Sequence, residues 1–360
     1  MDNLSNLTTA FQNTTSIQAG ILSETKLVLY SVLLVFSLLG NILVIAVVFY
    51  NENLRSDFNY LIVNMAISDL FIPLLAIPQR ISEVSGLLRH NEWLIGGVGG
   101  AFLCKLSYFL SDIAPAVSIF SLVIIAASRF VAIVYPFNVG LANALNKKNR
   151  ILIALTWLTA TALFGSYFYF VHLIPDQRGY WQCKLSFDSP KYFVIFYSFI
   201  IIGTYFVPFT IIAILYSIMV FKLYKRTRDI EEHFDDRQVR SRQRRNKKIF
   251  FLSIVIVLAC FLFLGPIFCF LFVVNFIWKW DIRSHITFEK AVLIFFILQY
   301  LGYLYTGINP WIYFAFIKSY RVGLKRLLRC EKHSARRLSD SSRRTRSFRL
   351  GTLNTDHELQ

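Results

Sequence analysis

Residues 290–317 read KAVLIFFILQYLGYLYTGINPWIYFAFI, and the stretch closes on Asn309-Pro310-Trp311-Ile312-Tyr313. After Lys290 it holds no charged residue. A helix of about 20 apolar residues crosses the hydrocarbon core of a bilayer. Pro310 sits inside that length, where a proline frees a carbonyl that lipid cannot satisfy. Such a break is kept for a hinge, a bound ion or a moving part.

Six more apolar stretches precede it, at 27–50, 59–81, 101–134, 151–172, 192–223 and 249–278. They are continuously apolar rather than alternating, which excludes a membrane β-barrel. Lipid then leaves the helix as the only spanning structure. Composition agrees: 56% of the chain is hydrophobic and 16% charged, against about 25% charged in a soluble domain. The fold class expected is an all-α membrane protein, a seven-transmembrane helix bundle with a short amphipathic eighth helix.

The net charge of +17 does not point to nucleic acid, because Lys and Arg concentrate at 222–248 and 318–349, beside apolar spans. That placement follows the positive-inside rule, which puts these segments in the cytoplasm and the N-terminus outside. Asn3, Asn6 and Asn13 each begin an Asn-x-Ser/Thr glycosylation sequon on the expected outer side. Residues 1–26 are polar, with Lys26 as their one basic residue. The first apolar run is longer than the core of a cleavable signal peptide and reads as a signal anchor. The expected division is an extracellular segment 1–26, the helix bundle 27–317, an amphipathic basic helix 318–330 lying on the inner membrane surface, and a disordered tail 331–360. Cys330 is a candidate for palmitoylation.

Several elements resemble the rhodopsin-like (class A) G-protein-coupled receptor family, and the resemblance covers residues 27 to 330. They are Gly40-Asn41 in the first span, Asn64 to Leu70 around Asp69 in the second, and Cys104 and Arg129 in the third. Trp157 follows in the fourth, Pro208 and Tyr216 in the fifth, Pro266 in the sixth, and Asn309-Pro310-x-x-Tyr313 in the seventh. The family implies a disulfide between Cys104 and Cys183, pinning the outer loop over the bundle. It implies a sodium ion at Asp69 with Asn41, Ser118 and Asn309, the only metal or cofactor expected; oxygen ligands suit a hard cation. The other reading of Asp69 is a protonated carboxyl in a local network. The family further implies that the sixth helix swings outward to admit a heterotrimeric G-protein, with Arg129 and Tyr216 lining the cavity and Tyr313 moving inward. Pro208, Pro266 and Pro310 are expected to kink their helices.

Two positions depart from the family. Ser128 replaces the acidic residue before Arg129, and Asn246 stands where the sixth helix could offer a second acid. Raised basal signalling is one expectation; restraint by other contacts is the alternative. Leu264 stands where the family has a tryptophan, with Phe263 or Phe268 as possible substitutes.

Ser111 occupies the position of the amine receptors' aspartate, and Asp112 lies one residue on, rotated by about 100°. Tyr303 stands where opsins carry the retinal lysine. Trp93 and the stretch from Arg129 to Pro136 resemble neuropeptide receptors. A ligand pocket is therefore expected from Gln79, Arg80, Glu83, Ser111, Asp112, Phe268, Gln299 and Tyr303, for a peptide, or alternatively an amine or other small molecule. The bland reading is that Arg80, Glu83 and Asp112 pair with one another or with water at the rim.

Ser339, Ser341 and Ser342 follow Arg336-Arg337 as kinase-site candidates. Phosphates there would loosen the tail from membrane lipids, and in the family such clusters recruit arrestin. A transporter is the competing class; no internal repeat favours it. No metal-ligand spacing or phosphate loop points to an enzyme.

Overall fold

A computed structural model describes residues 2–135, 148–230 and 237–329; the side chains of 2–22, 190 and 224–248 lie outside its description. Among these residues, seven helices are long and apolar enough to cross a membrane: Ser23–Tyr50, Asp57–Val84, Gly97–Val134, Asn149–Phe170, Lys191–Leu223, Ile249–Ile277 and Phe288–Phe316. Three helices run on past the apolar ranges read from the sequence, the first from Asp2, the fifth to Ile230 and the sixth from Arg237; the other ends fall within four residues of those ranges. The chain is a multi-pass membrane protein built as a helix bundle.

Local chemistry starts the helices. Ser56 accepts a hydrogen bond from the Asn59 N–H at 3.4 Å, capping the second span. Ser189 does the same for Lys191, with Pro190 in the first turn of the fifth, where a missing N–H costs nothing. The first span packs on the seventh, the second on the third, the third on the fifth and the sixth on the seventh.

Three features differ from the sequence reading. First, the fourth span ends at Phe170, and Val171 and His172, read as helix, begin a strand. Strands β1 (Glu92–Trp93), β2 (Val171–Pro175) and β3 (Trp181–Leu185) form an antiparallel sheet in the order β1-β3-β2. Asp176 Oδ1 accepts from the Arg178 and Tyr180 N–H groups at 2.8 and 2.9 Å, and Gly179 takes φ 82°, closing the hairpin. Second, residues 224–248, read as a loop, are largely helical: one helix runs to Ile230 and the next starts at Arg237. Arg, Gln and Lys are good helix formers, and their charge does not stop a helix that continues into water. Third, π-helical turns occupy Ile72–Ala76, Ile202–Phe206 and Val273–Ile277. Each widens a span by one residue; such turns cluster at functional sites.

After Phe316 the chain leaves the helix at Ile317 (φ −103°, ψ 107°) and re-enters it over Lys318–Leu328. The Tyr320 hydroxyl donates to Asn59 Oδ1 at 3.2 Å, and Asn51 Nδ2 donates to the Gly323 carbonyl at 3.4 Å. Burial pushes the Tyr320 phenol's pKa up. This helix thus docks on the end of the first span. Cys330 and the serines 339, 341 and 342 lie outside the described residues, as do the side chains of Asn3, Asn6, Asn13 and Asn246.

Candidate functional site

Three polar layers run through the bundle. The middle one centres on Asp69, which is fully buried. Ser118 donates to Asp69 Oδ1 at 2.6 Å, and Asn309 Nδ2 donates to Oδ2 at 3.3 Å. Ser68 Oγ lies 3.2 Å from Ser118 Oγ. Asn41 Nδ2 donates to the carbonyls of Ser37 and Thr306 at 2.9 and 3.0 Å, tying the first span to the seventh. Buried carbonyl oxygens normally find a donor. Asn41 Oδ1 and Asn309 Oδ1 have none; the Tyr305 hydroxyl, fully buried one turn before Asn309, lies within reach of Asn309 and Cys260. The layer therefore offers a carboxylate, a hydroxyl and two unused carbonyl oxygens. The four residues singled out in the sequence do stand on neighbouring helices; Tyr305 was missed, because a tyrosine in an aromatic-rich span gives no signal of its own.

Beside this layer, Asn64 joins three helices. Its amide donates to Ser121 Oγ at 3.0 Å and Thr156 Oγ1 at 3.3 Å, and its carbonyl accepts from Trp157 Nε1 at 2.8 Å. Asn64 was quoted in the sequence only as part of a motif; its pairing with Trp157 depends on tertiary packing.

At the end of the bundle away from the sheet, the Arg129 guanidinium lies over the Phe58 ring, 5.4 Å from its centroid. Tyr216 packs against Phe250 with ring centroids 5.6 Å apart. Tyr313 is fully buried, its hydroxyl 3.9 Å from Met65 Sδ. It points toward Met65 of the second span.

Toward the sheet end, the expected pocket residues divide. Arg80 Nη1 bonds Glu83 Oε2 at 2.6 Å, and the guanidinium also reaches the Tyr303 hydroxyl. Glu83 Oε1 accepts from the Asn91 N–H at 3.0 Å. Asp112 turns elsewhere, accepting from the Tyr167 hydroxyl at 2.5 Å. The bland reading thus holds for Arg80 with Glu83, whereas Asp112 is satisfied by a tyrosine of the fourth span. Gln79, Ser111 and Gln299 are half-buried. Phe268 lies deeper, stacked on Tyr205 at 4.7 Å. Leu264, in the position of the family's tryptophan, is buried in the same cluster, and Tyr205, on the π-turn of the fifth span, supplies the large aromatic there. A Cβ on Gly265 would lie 2.9 Å from the Tyr205 hydroxyl, so glycine at 265 makes room for that ring.

A disulfide joins Cys104 to Cys183, with Cα atoms 5.8 Å apart. Cys183 lies in β3 opposite Leu173, so the bond fastens the sheet to the start of the third span. Lys105 Nζ donates to the Phe168 carbonyl at 2.7 Å, and Tyr108 to the Cys183 carbonyl at 3.3 Å. Among the described residues no group of three or more His, Cys, Asp or Glu side chains could hold a metal ion.

Comparison with known proteins places this architecture. The substance-K receptor of Canis lupus familiaris is 29% identical over 328 residues, covering 88% of this chain and 80% of the relative. The allatostatin-A receptor of Bombyx mori is 25% identical over 369 residues, covering 98% and 93%. The neuropeptide Y receptor type 6 of Mus musculus is 29% identical over 314 residues, covering 84% and 80%. The family profile of the seven-transmembrane receptors (rhodopsin family) matches residues 40–313, from Gly40 through the Asp69 layer to Tyr313, and the chain belongs to that family of receptors.

Proposed function

We propose that this receptor binds an extracellular peptide, with its N-terminus and sheet outside the plasma membrane, and drives nucleotide exchange on a heterotrimeric G-protein at the Arg129 end. The observation that carries the reading is the set of peptide receptors, each similar over more than four-fifths of this chain. The positive-inside distribution of Lys and Arg supports the orientation. The pocket chemistry supports a peptide over an amine. An ammonium ligand needs a free carboxylate, and Asp112 already accepts a hydrogen bond from the Tyr167 hydroxyl. Arg80 and Glu83, paired side by side, present both charges to a ligand carrying both donors and acceptors, such as a peptide backbone or amidated terminus.

The Asp69 layer fits a sodium ion, held by Asp69 and Ser118 with the unused oxygens of Asn41 and Asn309. A hard cation takes such oxygen donors. When bound, the ion would offset the Asp69 charge. The chain's own residues do the coupling. Asn309 and Asn41 join the seventh, second and first spans through side-chain hydrogen bonds, so a shift of the seventh helix must break or exchange them. Buried networks of this kind have discrete arrangements, which gives the bundle two packings for a ligand to choose between.

The test is a second-messenger assay in cells expressing the chain, screened against a neuropeptide library and an amine panel. A peptide response abolished by Arg80→Ala supports the reading. A response confined to amines, insensitive to Arg80→Ala, contradicts it.

A further inference from the structure

A recess lies at the sheet end, lined by none of the residues of the Arg80–Glu83 cluster. It is bounded by the chain after β3, the start of the fifth span and the turn after the sixth, and has a volume of about 380 Å³. Phe187, Phe193 and Trp280 form its walls, and Lys279 stands at its rim. The rings form one cluster: Phe193 meets Trp280 edge to face at 4.3 Å, and Phe187 meets Phe193 at 5.0 Å.

The recess is held in shape. Trp280 Nε1 donates to Asn275 Oδ1 at 2.9 Å. Asn275 is buried and donates onward to Ser198 Oγ at 2.9 Å and the Val194 carbonyl at 3.3 Å. The turn is therefore fastened to the fifth span through a buried amide. Lys279 and Trp280 are consecutive non-glycine residues with φ of 49° and 67°. Left-handed backbone is costly outside glycine and persists where surrounding structure imposes it; such positions cluster at ligand clamps. The Trp280 N–H to Val274 carbonyl bond, 2.9 Å, completes that constraint. The conformation sets the Trp280 ring as a wall and the Lys279 ammonium, which is exposed, beside it.

The lining holds no acidic side chain; Asp188 and Asp281 are neighbours in sequence that do not line it. Among the described residues Lys279 makes no ion pair. An aromatic slot next to an unmatched ammonium complements an aromatic side chain next to a carboxylate. The volume lies at the low end for ligand sites, about 300–1,000 Å³, which suits a two-residue fragment rather than a whole peptide.

We propose that this recess is a second subsite, which takes an acidic residue adjacent to an aromatic one in the peptide ligand. The subsite rests on the peptide reading above and specifies the ligand's chemistry. Lys279 reads the carboxylate, and Trp280 with Phe193 reads the ring.

The test uses the full chain in lipid nanodiscs with 5-fluorotryptophan incorporated, and the ¹⁹F resonance of Trp280 assigned through Trp280→Phe. The probes are N-acetyl-Asp-Phe-amide and its uncharged counterpart N-acetyl-Asn-Phe-amide. The expected result is a saturable shift of the Trp280 resonance with the Asp probe. Loss of a charge-assisted contact weakens binding by about tenfold, so the Asn probe and Lys279→Gln should each show that loss, and Lys279→Arg should not. Equal binding of both probes, or no Trp280 shift with either, overturns the subsite. Peptide-stimulated nucleotide exchange, read in the same nanodiscs, reports on the receptor reading separately. Exchange without any probe effect at Trp280 sinks the subsite alone, and a Lys279-dependent shift without exchange sustains the subsite while sinking the proposed peptide-driven exchange.

Discussion

Asp69 is a mid-membrane carboxylate with one strong donor, Ser118, and two unused carbonyl oxygens in its layer. If a cation completes that layer, it stabilises the folded receptor by mass action. The detergent-solubilised protein should melt several degrees higher in sodium chloride than in choline chloride at equal ionic strength. Asp69→Asn should abolish the difference, and a difference that survives the substitution would assign the effect elsewhere. Ser128 poses a second question at this scale. With serine before Arg129, the arginine lacks the adjacent carboxylate that restrains it in the family. Ser128→Asp should lower basal second-messenger output in a reporter cell severalfold; unchanged output would show that other contacts, the Phe58 ring among them, hold the resting state. Residue identities such as Asp69, Arg129 and Cys104 could be read from the chain because each carries chemistry that is expensive in a bilayer or reactive outside it. Partners could not. That Asp112 would bond Tyr167, and that Asn64 would gather Ser121, Thr156 and Trp157, depends on how three helices turn their faces.

The spans were legible as elements because their apolar length is dictated by bilayer thickness; the helices that run on past it, from Asp2, to Ile230 and from Arg237, do so in polar sequence that hydropathy does not mark. Their interruptions were not. The π-turns at Ile72–Ala76, Ile202–Phe206 and Val273–Ile277 leave no mark on hydropathy, since adding one apolar residue to an apolar run changes nothing in composition. The sheet was missed for a related reason: β1 has only two residues, and β2 continues an apolar run directly from the helix. The terminal helix is a testable element. A Cβ on Gly323 would lie 2.8 Å from Val47 Cγ1 and 3.0 Å from Asn51 Nδ2. Gly323→Val should therefore lift the helix from the first span, costing about 1–3 kcal/mol by overpacking, read as a fall in melting temperature. Unchanged melting would mean that this interface yields freely.

For the whole molecule, the disulfide and the sheet act together as a fixed roof over the bundle. Cys104 and Cys183 are both fully buried, so a lone thiol left by mutation would sit in packed protein. Removing a native disulfide typically costs about 2–5 kcal/mol. Cys104→Ala, Cys183→Ala and the double variant should lose similar thermal stability and peptide binding, because each breaks the same bond; strongly unequal losses would indicate separate roles. The roof, the Asp69 layer and the Arg129 end stand in that order along the bundle, which is the arrangement a signal crossing a membrane requires. The most direct measurement is nucleotide exchange by purified heterotrimeric G-protein on nanodiscs holding this chain, with and without a peptide drawn from the cell screen. Faster exchange with peptide is expected, abolished by Arg129→Ala while peptide binding persists. Binding without any change in exchange would contradict it.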